Sequence, residues 1–435
     1  MVDVLPFRGV RFDEARLGRG LSAVITPPYD VISPDERDAF FARDPHNMVR
    51  LILARPDAGA GSDNPHLSAA AAARDWRASG VLKTDVEAGM YLLEQEFSAS
   101  GARFHRRAVL ALVGIDAGGR SGFVPHEQTL AKPIEDRLQL LRTCRASFEP
   151  IFCLYRDREL AVETLLWGSS PAEIARFTSP DGVQTRVLRV TDRELLASVS
   201  SFFRSERLII ADGHHRFTAA CRYCDETGAA RGAPSAFRLA ALAALDTPGL
   251  VILPTHRVIL RPGPAAAADP VGSLATLGHV ERFSSAQSLL EALNDPAVCE
   301  PSRGAFGFFG NDGIARLVRI NSDVAAQGAA TAVDRLDVAL VHRLVIEPLF
   351  GLTPELTRTG GHLAYVKQPE EAVAKVSDSR ACAAILLRGT QVGAFAAVLD
   401  AGVLMPQKST YFYPKIPSGA VMYFMDVPPE ASGEA

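Results

Sequence analysis

The stretch that most limits the architecture is Arg207-Leu208-Ile209-Ile210-Ala211-Asp212-Gly213-His214-His215-Arg216-Phe217-Thr218-Ala219-Ala220. A run of five residues ending in apolar Ile209, Ile210 and Ala211 reads as a buried strand, and Phe217 to Thr227 has helical spacing ending at Gly228. Only Asp212 to Arg216 separate the two. A chain with so short a strand-to-helix corner must layer helices on a sheet, and it concentrates an acid, a glycine, two histidines and an arginine where the sheet ends. The start of a helix leaves backbone N–H groups unpaired and carries the positive end of the helix dipole. Gly213 permits close backbone approach, and Arg216 adds a permanently charged planar fork. The corner therefore suits an anion. Asp212 is the candidate Mg²⁺ ligand or proton acceptor, and His214 and His215 are candidate phosphate donors. A cap plus two hydrogen-bonded histidines is the plainer reading, but it needs fewer polar side chains than are present.

Elsewhere the pattern alternates strands and helices. Thr26-Pro27-Pro28-Tyr29-Asp30 is held extended by two prolines, and Ser33-Pro34-Asp35-Glu36 reads as a helix start with Ser33 as cap and Glu36 closing a capping box. Residues 67–79 form an Ala-rich helix, and 90–97 and 107–115 form paired strands across a turn at 98–101. A helix spans 134–145, strands follow at 150–155, 186–190 and 207–211, and helices at 159–166 and 193–203. Residues 236–246 are apolar throughout, so helix and strand stay open. A strand at 250–254 runs into a loop at Thr255-His256-Arg257. The Pro/Ala run 262–269 reads as a linker. Beyond it, helices at 285–293, 334–350 and 369–376 alternate with strands at 305–309, 315–320, 383–387 and 392–398. The organisation expected is a motif-bearing domain over 1–246 and a C-terminal α+β domain over 247–435 that contributes to the site.

Composition narrows the partners. With 435 residues, 47% of them hydrophobic, the chain can bury two ordinary cores, and a net charge of −4 gives no general attraction to nucleic acid or anionic membrane. No segment reads as a signal peptide or a membrane span, so a cytoplasmic location is expected. Six cysteines in so long a chain suit a reducing compartment rather than a disulfide framework. The Cys221-x-x-Cys224 pair has no second pair, and His126-Glu127 is not followed by the second histidine of a zinc helix, so zinc is disfavoured. Gly402 with Lys408-Ser409 has phosphate-loop spacing, but Gln407 and Pro406 break that motif.

The remaining candidates lie in loops. Tyr29 and Asp30 sit on the proline-stiffened turn. His126 and Glu127, with Thr129, Asp136 and Arg137 downstream, supply an acid/base pair. His256 and Arg257 follow a strand, and Lys408, Ser409, Tyr411 and Lys415 lie in a segment rich in cations, hydroxyls and aromatics.

Together PPYDVIS (27–33), HEQT with DR (126–129, 136–137), ADGHHR (211–216), LPTHR (253–257), DVALVHRLVIEPLFG (337–351) and MPQKSTYFYPKIPSG (405–419) resemble the bacterial and archaeal domain of unknown function family 1015. The DGHHR corner is similar to the signature of the archaeal free-serine kinase and, more distantly, of the ParB and sulfiredoxin fold. The resemblance implies an α+β fold with a mixed-sheet ParB/sulfiredoxin-like core, large insertions and a C-terminal α+β portion. It also implies a phosphotransferase using ATP or ADP with Mg²⁺ to interconvert serine and phosphoserine. Only Asp212, Gly213, His214, His215 and Arg216 carry over by position, the last four on nucleotide phosphate and Asp212 on the metal; Lys408 as a further phosphate contact and Glu127 or Asp30 as base are chosen from this chain's own residues. Tyr29, His126, His256, Arg257, Ser409, Tyr411 and Lys415 would face the second substrate. A ParB-like nucleotide-binding regulator and a phosphate-releasing hydrolase are the alternatives. Small molecules, not nucleic acid or membrane, are the expected partners, and the oligomeric state is left open.

Overall fold

The computed structural model describes residues 2–56, 63–99, 101–125, 131–300, 304–403, 405 and 408–429. It has two compact units, one of residues 1–250 with 414–435 and one of residues 251–413.

The first unit is built on a nine-stranded mixed sheet. The hairpin Met90–Ala99 and Ala102–Gly114 lies at its middle, paired from Tyr91↔Leu110 to Ala99↔Ala102. On one side follow Gln184–Val190 and Ala172–Thr178, both antiparallel. On the other, Phe237–Ala244 pairs antiparallel with the hairpin and parallel with Ile151–Tyr155. Leu208–Asp212 comes next, antiparallel to Ile151–Tyr155 and parallel to the edge strand Phe123–Pro125. The apolar stretch left open above is thus the strand Phe237–Ala244, buried along its whole length as a central strand must be. Helices Ala131–Cys144 and His214–Glu226 pack on each other beside this half of the sheet.

Local signals explain the entrances to the helices. Ser33 accepts from the Glu36 amide while Glu36 accepts from the Ser33 amide, the reciprocal capping box expected ahead of Pro34–Arg43. Asp192 caps Arg193–Phe203 in the same way through the Leu195 amide.

Residues 414–425 return to the first unit and thread through it. Thr26 and Ser418 exchange backbone hydrogen bonds, Val10 and Met422 do likewise, and Tyr423–Phe424 pairs with Ala146–Ser147. The thread leaves no room at Gly419, where φ is +89° and a Cβ would lie 2.4 Å from Met48 Cγ.

The second unit carries a six-stranded antiparallel sheet in the order Gly278–Phe283, Ala315–Ile320, Ala305–Gly310, Ala383–Leu386, His256–Ile259, Leu363–Val366. Helices Ala286–Asn294 and Pro369–Ser377 bury Leu289, Leu293, Ala372 and Val376 in its core. Three expectations are corrected here. Residues 392–400 form a helix, Val392–Asp400, with Phe395 and Val398 buried at helical spacing. His256 and Arg257 belong to a buried strand rather than a loop. The Pro/Ala run 262–269 is not a linker, since Gly263 and Ala267 donate to Phe350 and Leu349 within the same unit. The 334–350 helix exists in pieces, interrupted by a π-helical turn over His342–Ile346.

Candidate functional site

Leu208–Asp212 delivers Asp212 to the end of the sheet, and Gly213, at φ +87°, turns the chain directly into the helix His214–Glu226. Only glycine adopts that conformation without strain, and a Cβ there would lie 3.0 Å from the Arg216 guanidinium. Arg216, one helical turn after Asp212, points back: its Nη2 donates to Asp212 Oδ2 at 2.6 Å and its Nη1 donates to the Pro150 carbonyl. Lys415, from the returning thread, donates to Asp212 Oδ1. Both carboxylate oxygens are thereby engaged by cations.

Other segments complete the cluster. Glu149, just before Ile151–Tyr155, accepts from the Tyr29 amide at 2.8 Å, from Ser418 Oγ at 3.3 Å and from Arg137 Nη1 at 3.5 Å. The Arg137 guanidinium lies 4.0 Å from the centre of the Tyr29 ring and donates to the Ile52 carbonyl. Asp136 takes hydrogen bonds from Arg137 and meets His66 Nε2 at 3.1 Å. Beneath the thread lies Arg106, wholly buried, whose Nη2 donates to Gln95 Oε1 and the Pro414 carbonyl.

The electrostatics follow from this crowding. Burial alone would raise the Asp212 carboxyl, but Lys415 and Arg216 outweigh it and hold it well below the usual range. Burial pushes Glu149 upward despite Arg216 and Arg137. It also raises the Tyr29 phenol, and pushes Arg106 down to about 9 with Asp212 only partly countering. Asp212 is thus held by Arg216 and Lys415 and its charge reaches Arg106, while Glu149 and Asp30 act on Arg216 as well.

The structure thus brings together Tyr29, Asp30, Asp212, Gly213, His214, His215, Arg216 and Lys415. Asp30 is exposed, and its charge acts on Arg216, Tyr29 and Glu149. His214 and His215 are half-buried at the helix start, and His214 is close enough to help lower Asp212. His126, Glu127 and Thr129 lie outside the described residues. Among the described residues no group of three His, Cys, Asp or Glu side chains is placed to hold a metal. With both Asp212 oxygens occupied, the donors described do not fit a protein-held Mg²⁺. The six cysteines are free, and burial pushes the Cys221 thiol up to about 11, against thiolate chemistry there.

His256, Arg257, Lys408, Ser409 and Tyr411 belong to the second unit. Arg257, fully buried, donates to the Thr255 and Lys408 carbonyls and reaches His342 Nε2 at 3.5 Å, at the head of the π-helical turn. The Lys408 backbone is left-handed at φ +57° and its side chain is exposed, while Ser409 is buried. Tyr411 pairs in register with Leu253, with Lys367 Nζ 4.8 Å from its ring centre.

Glu149 and Arg106 were not anticipated. Glu149 had a signal, being a lone acid in Ser-Phe-Glu-Pro-Ile-Phe at the entry to an apolar strand. Arg106 had none, since it falls among the exposed-looking residues of Arg103-Phe104-His105-Arg106-Arg107.

A family model described as "Protein of unknown function (DUF1015)" matches residues 4–339. The chain belongs to that family. The DUF1015 match takes in the turn at Tyr29, the Asp212 corner and Arg257, and it ends ahead of Lys415. Comparison with curated proteins found no match. Among solved structures, the chain is similar to a conserved hypothetical protein from Pyrococcus furiosus, with TM-score 0.35 and 13% identity over 73% of this chain and 97% of that one. It is similar to a free serine kinase in complex with AMP, with TM-score 0.34 and 13% identity over 72% of this chain and 92% of that one. It is similar to SbnI with a C-terminal truncation from Staphylococcus aureus, with TM-score 0.35 and 9% identity over 74% of this chain and 87% of that one. Likeness at this level decides neither fold nor activity. No helix among the described residues is long and apolar enough to cross a membrane.

Proposed function

We propose that this DUF1015 protein is a small-molecule phosphotransferase whose Asp212 corner receives nucleotide phosphate. One observation carries the reading: at the start of a helix the Asp212 carboxylate is held by two cationic donors, Arg216 on one oxygen and Lys415 on the other, in a largely buried place. Phosphoryl transfer asks little covalent chemistry of a protein. It needs phosphates held, charge at the transferring group neutralised, and an acceptor for the hydroxyl proton.

In this reading a phosphate oxygen takes the place of Asp212 on Lys415, which is released to follow the transferring group, while Arg216 stays on Asp212 and keeps the corner shaped. The His214 and His215 amides and rings face the phosphates. Asp30, exposed beside Tyr29, or Glu127 takes the proton as the substrate hydroxyl attacks phosphorus and the bond to the leaving phosphate breaks. Mg²⁺ would arrive with the nucleotide phosphates, and no step is assigned to it. Serine as acceptor, with ATP or ADP as the nucleotide, and a ParB/sulfiredoxin-like core rest on the resemblance of the DGHHR corner.

The test is direct. Purified protein is assayed for phosphoserine from serine and ATP, and for ATP from phosphoserine and ADP, with nucleotide-induced thermal shifts measured in parallel. Wild type should turn over and be stabilised by nucleotide, and Lys415→Met should lose at least 100-fold in rate. No turnover in either direction, together with nucleotide shifts unchanged in Lys415→Met and Arg216→Ala, would sink the reading. Phosphate release without a serine requirement would favour a hydrolase.

A further inference from the structure

The two large sheets end in strands whose outer N–H and C=O groups can pair with another chain. Folded proteins blunt such edges by keeping them short or by placing proline or a bulge there. In the nine-stranded sheet, Ala172–Thr178 shifts register against its neighbour at Val187 and gives the Thr178 amide to Ser22 Oγ, while Phe123–Pro125 is three residues long and ends in proline. In the six-stranded sheet, Leu363–Val366 is four residues long. Gly278–Phe283 is the exception. It runs six residues in unbroken register with Ala315–Ile320, has no proline, and has no other strand beside it among the described residues. His279 and Arg282 are exposed, and the other four residues are half-buried.

Bonding parity fixes which groups face outward. Leu277 accepts from the Asn321 amide, and the Ile320 amide turns the other way, to the Gly304 carbonyl. Antiparallel bonding alternates with a period of two, so His279, Glu281 and Phe283 bond inward to Arg319, Leu317 and Ala315. The N–H and C=O groups of Gly278, Val280 and Arg282 therefore point to the open side. His279 and Glu281 share the face on which Phe283 packs against the core of the unit, and Glu281 accepts there from Arg319 Nη2 at 2.7 Å.

We propose that this edge pairs with itself, antiparallel, in a dimer of the chain about a two-fold axis at Val280. Outward-facing residues must meet outward-facing residues, so Val280 lies opposite the partner's Val280, and Gly278 opposite the partner's Arg282. The intervening residues then form close, non-hydrogen-bonded pairs, and His279 falls opposite the partner's Glu281 twice, once on each side of the axis. Moving the axis by one residue keeps the parity but sets Glu281 against Glu281, or His279 against His279. Charge complementarity thus selects one register. A strand of this length buries less than the ~1,200–2,000 Å² of a tight dimer, so the association is concentration-dependent. The edge belongs to the second unit and the pairing involves no nucleotide, so it stands apart from the phosphotransferase reading.

The experiment is sedimentation equilibrium of the full chain from about 1 to 100 µM, without nucleotide. Wild type should show a monomer–dimer equilibrium with a dissociation constant in the micromolar range. Val280→Pro removes an N–H that the protein's own sheet does not use and should weaken the dimer about 10-fold or more. His279→Glu sets like charges opposite one another while facing Arg319 within its own chain, and should weaken the dimer about 10-fold. Adding Glu281→His to it restores the complementary pair and should recover the wild-type constant. Wild type that stays monomeric at about 100 µM, a dimer unchanged by Val280→Pro, or a His279→Glu effect that Glu281→His does not reverse would each overturn the proposal. Should Val280→Pro fail to fold, hydrogen exchange of wild type decides. Val280 and Arg282 amides that exchange more slowly as protein concentration rises sustain the pairing, and exchange independent of concentration overturns it.

Discussion

The Lys415 ammonium and the Asp212 carboxylate meet as a buried ion pair across 203 residues of chain. Between them in sequence lies the whole second unit, so the pair forms only when residues 414–425 have returned to the first. Arg106 and Ser418 hold the same thread, through the Pro414 carbonyl and through Glu149. The Asp212 corner and the closure of the first unit are therefore one structural event.

Lys415→Met should cost about 3 kcal/mol, the usual penalty for leaving one member of a buried pair uncompensated. Arg216 remains on Asp212 and sets the loss at that level rather than higher. The sign with pH follows from the depressed Asp212 carboxyl. Its contribution is present above the unfolded value near 3.8 and is lost as pH falls through the lower folded value. Without Lys415 the folded value rises, so acid unfolding should begin at a higher pH. Urea unfolding of Lys415→Met, Asp212→Asn and the double variant would reveal the coupling. Additive losses would mean that the pair is not formed in solution.

Glu149 behaves in the opposite sense. Burial raises its carboxyl above 4.5 even with Arg216 and Arg137 nearby. A raised folded value gives stability that is fully present below the unfolded value and is lost as pH rises through the folded one. Glu149→Gln retains an acceptor for the Tyr29 amide and Ser418 Oγ while removing the buried charge. Its stability relative to wild type should therefore increase as pH is raised from about 4.5 to 7. Denaturation curves across that range test the slope, and a relative stability that falls with pH would show that the arginines dominate.

What could be read from the chain follows a physical divide. The Asp212 corner was legible because an apolar strand, a glycine and a helical period adjoin in sequence, and the Ser33 box because capping is local. The stretch Val392-Gly393-Ala394-Phe395-Ala396-Ala397-Val398 was misread as a strand because it is apolar on every side, and only the burial of Phe395 and Val398 shows its period. The π-helical turn at His342–Ile346 left no mark, since it depends on what packs around it. Tyr29, Asp212 and Lys415 were named separately as candidates. Their meeting depends on non-local pairing, above all Thr26 with Ser418, which no local pattern encodes.

The second unit should respond to acid through two histidines. His256 Nδ1 accepts from the Leu387 amide at 3.1 Å, and His342 Nε2 faces the Arg257 Nε donor at 3.5 Å, so both rings are held neutral. Burial first, and then the Arg257 charge, pushes each down from 6.5 to about 4. A base with a depressed folded value contributes stability present above 6.5, and that stability is lost as pH falls from 6.5 toward 4. The loss is on the order of 3 kcal/mol per histidine at most. Histidine ring resonances of the folded protein should identify two groups that stay neutral at pH 5.5, and His256→Gln should flatten the fall in unfolding free energy between pH 6.5 and 4.5 by about half. If both rings titrate near 6.5 in the folded state, the Arg257 cluster is open to water and the prediction fails.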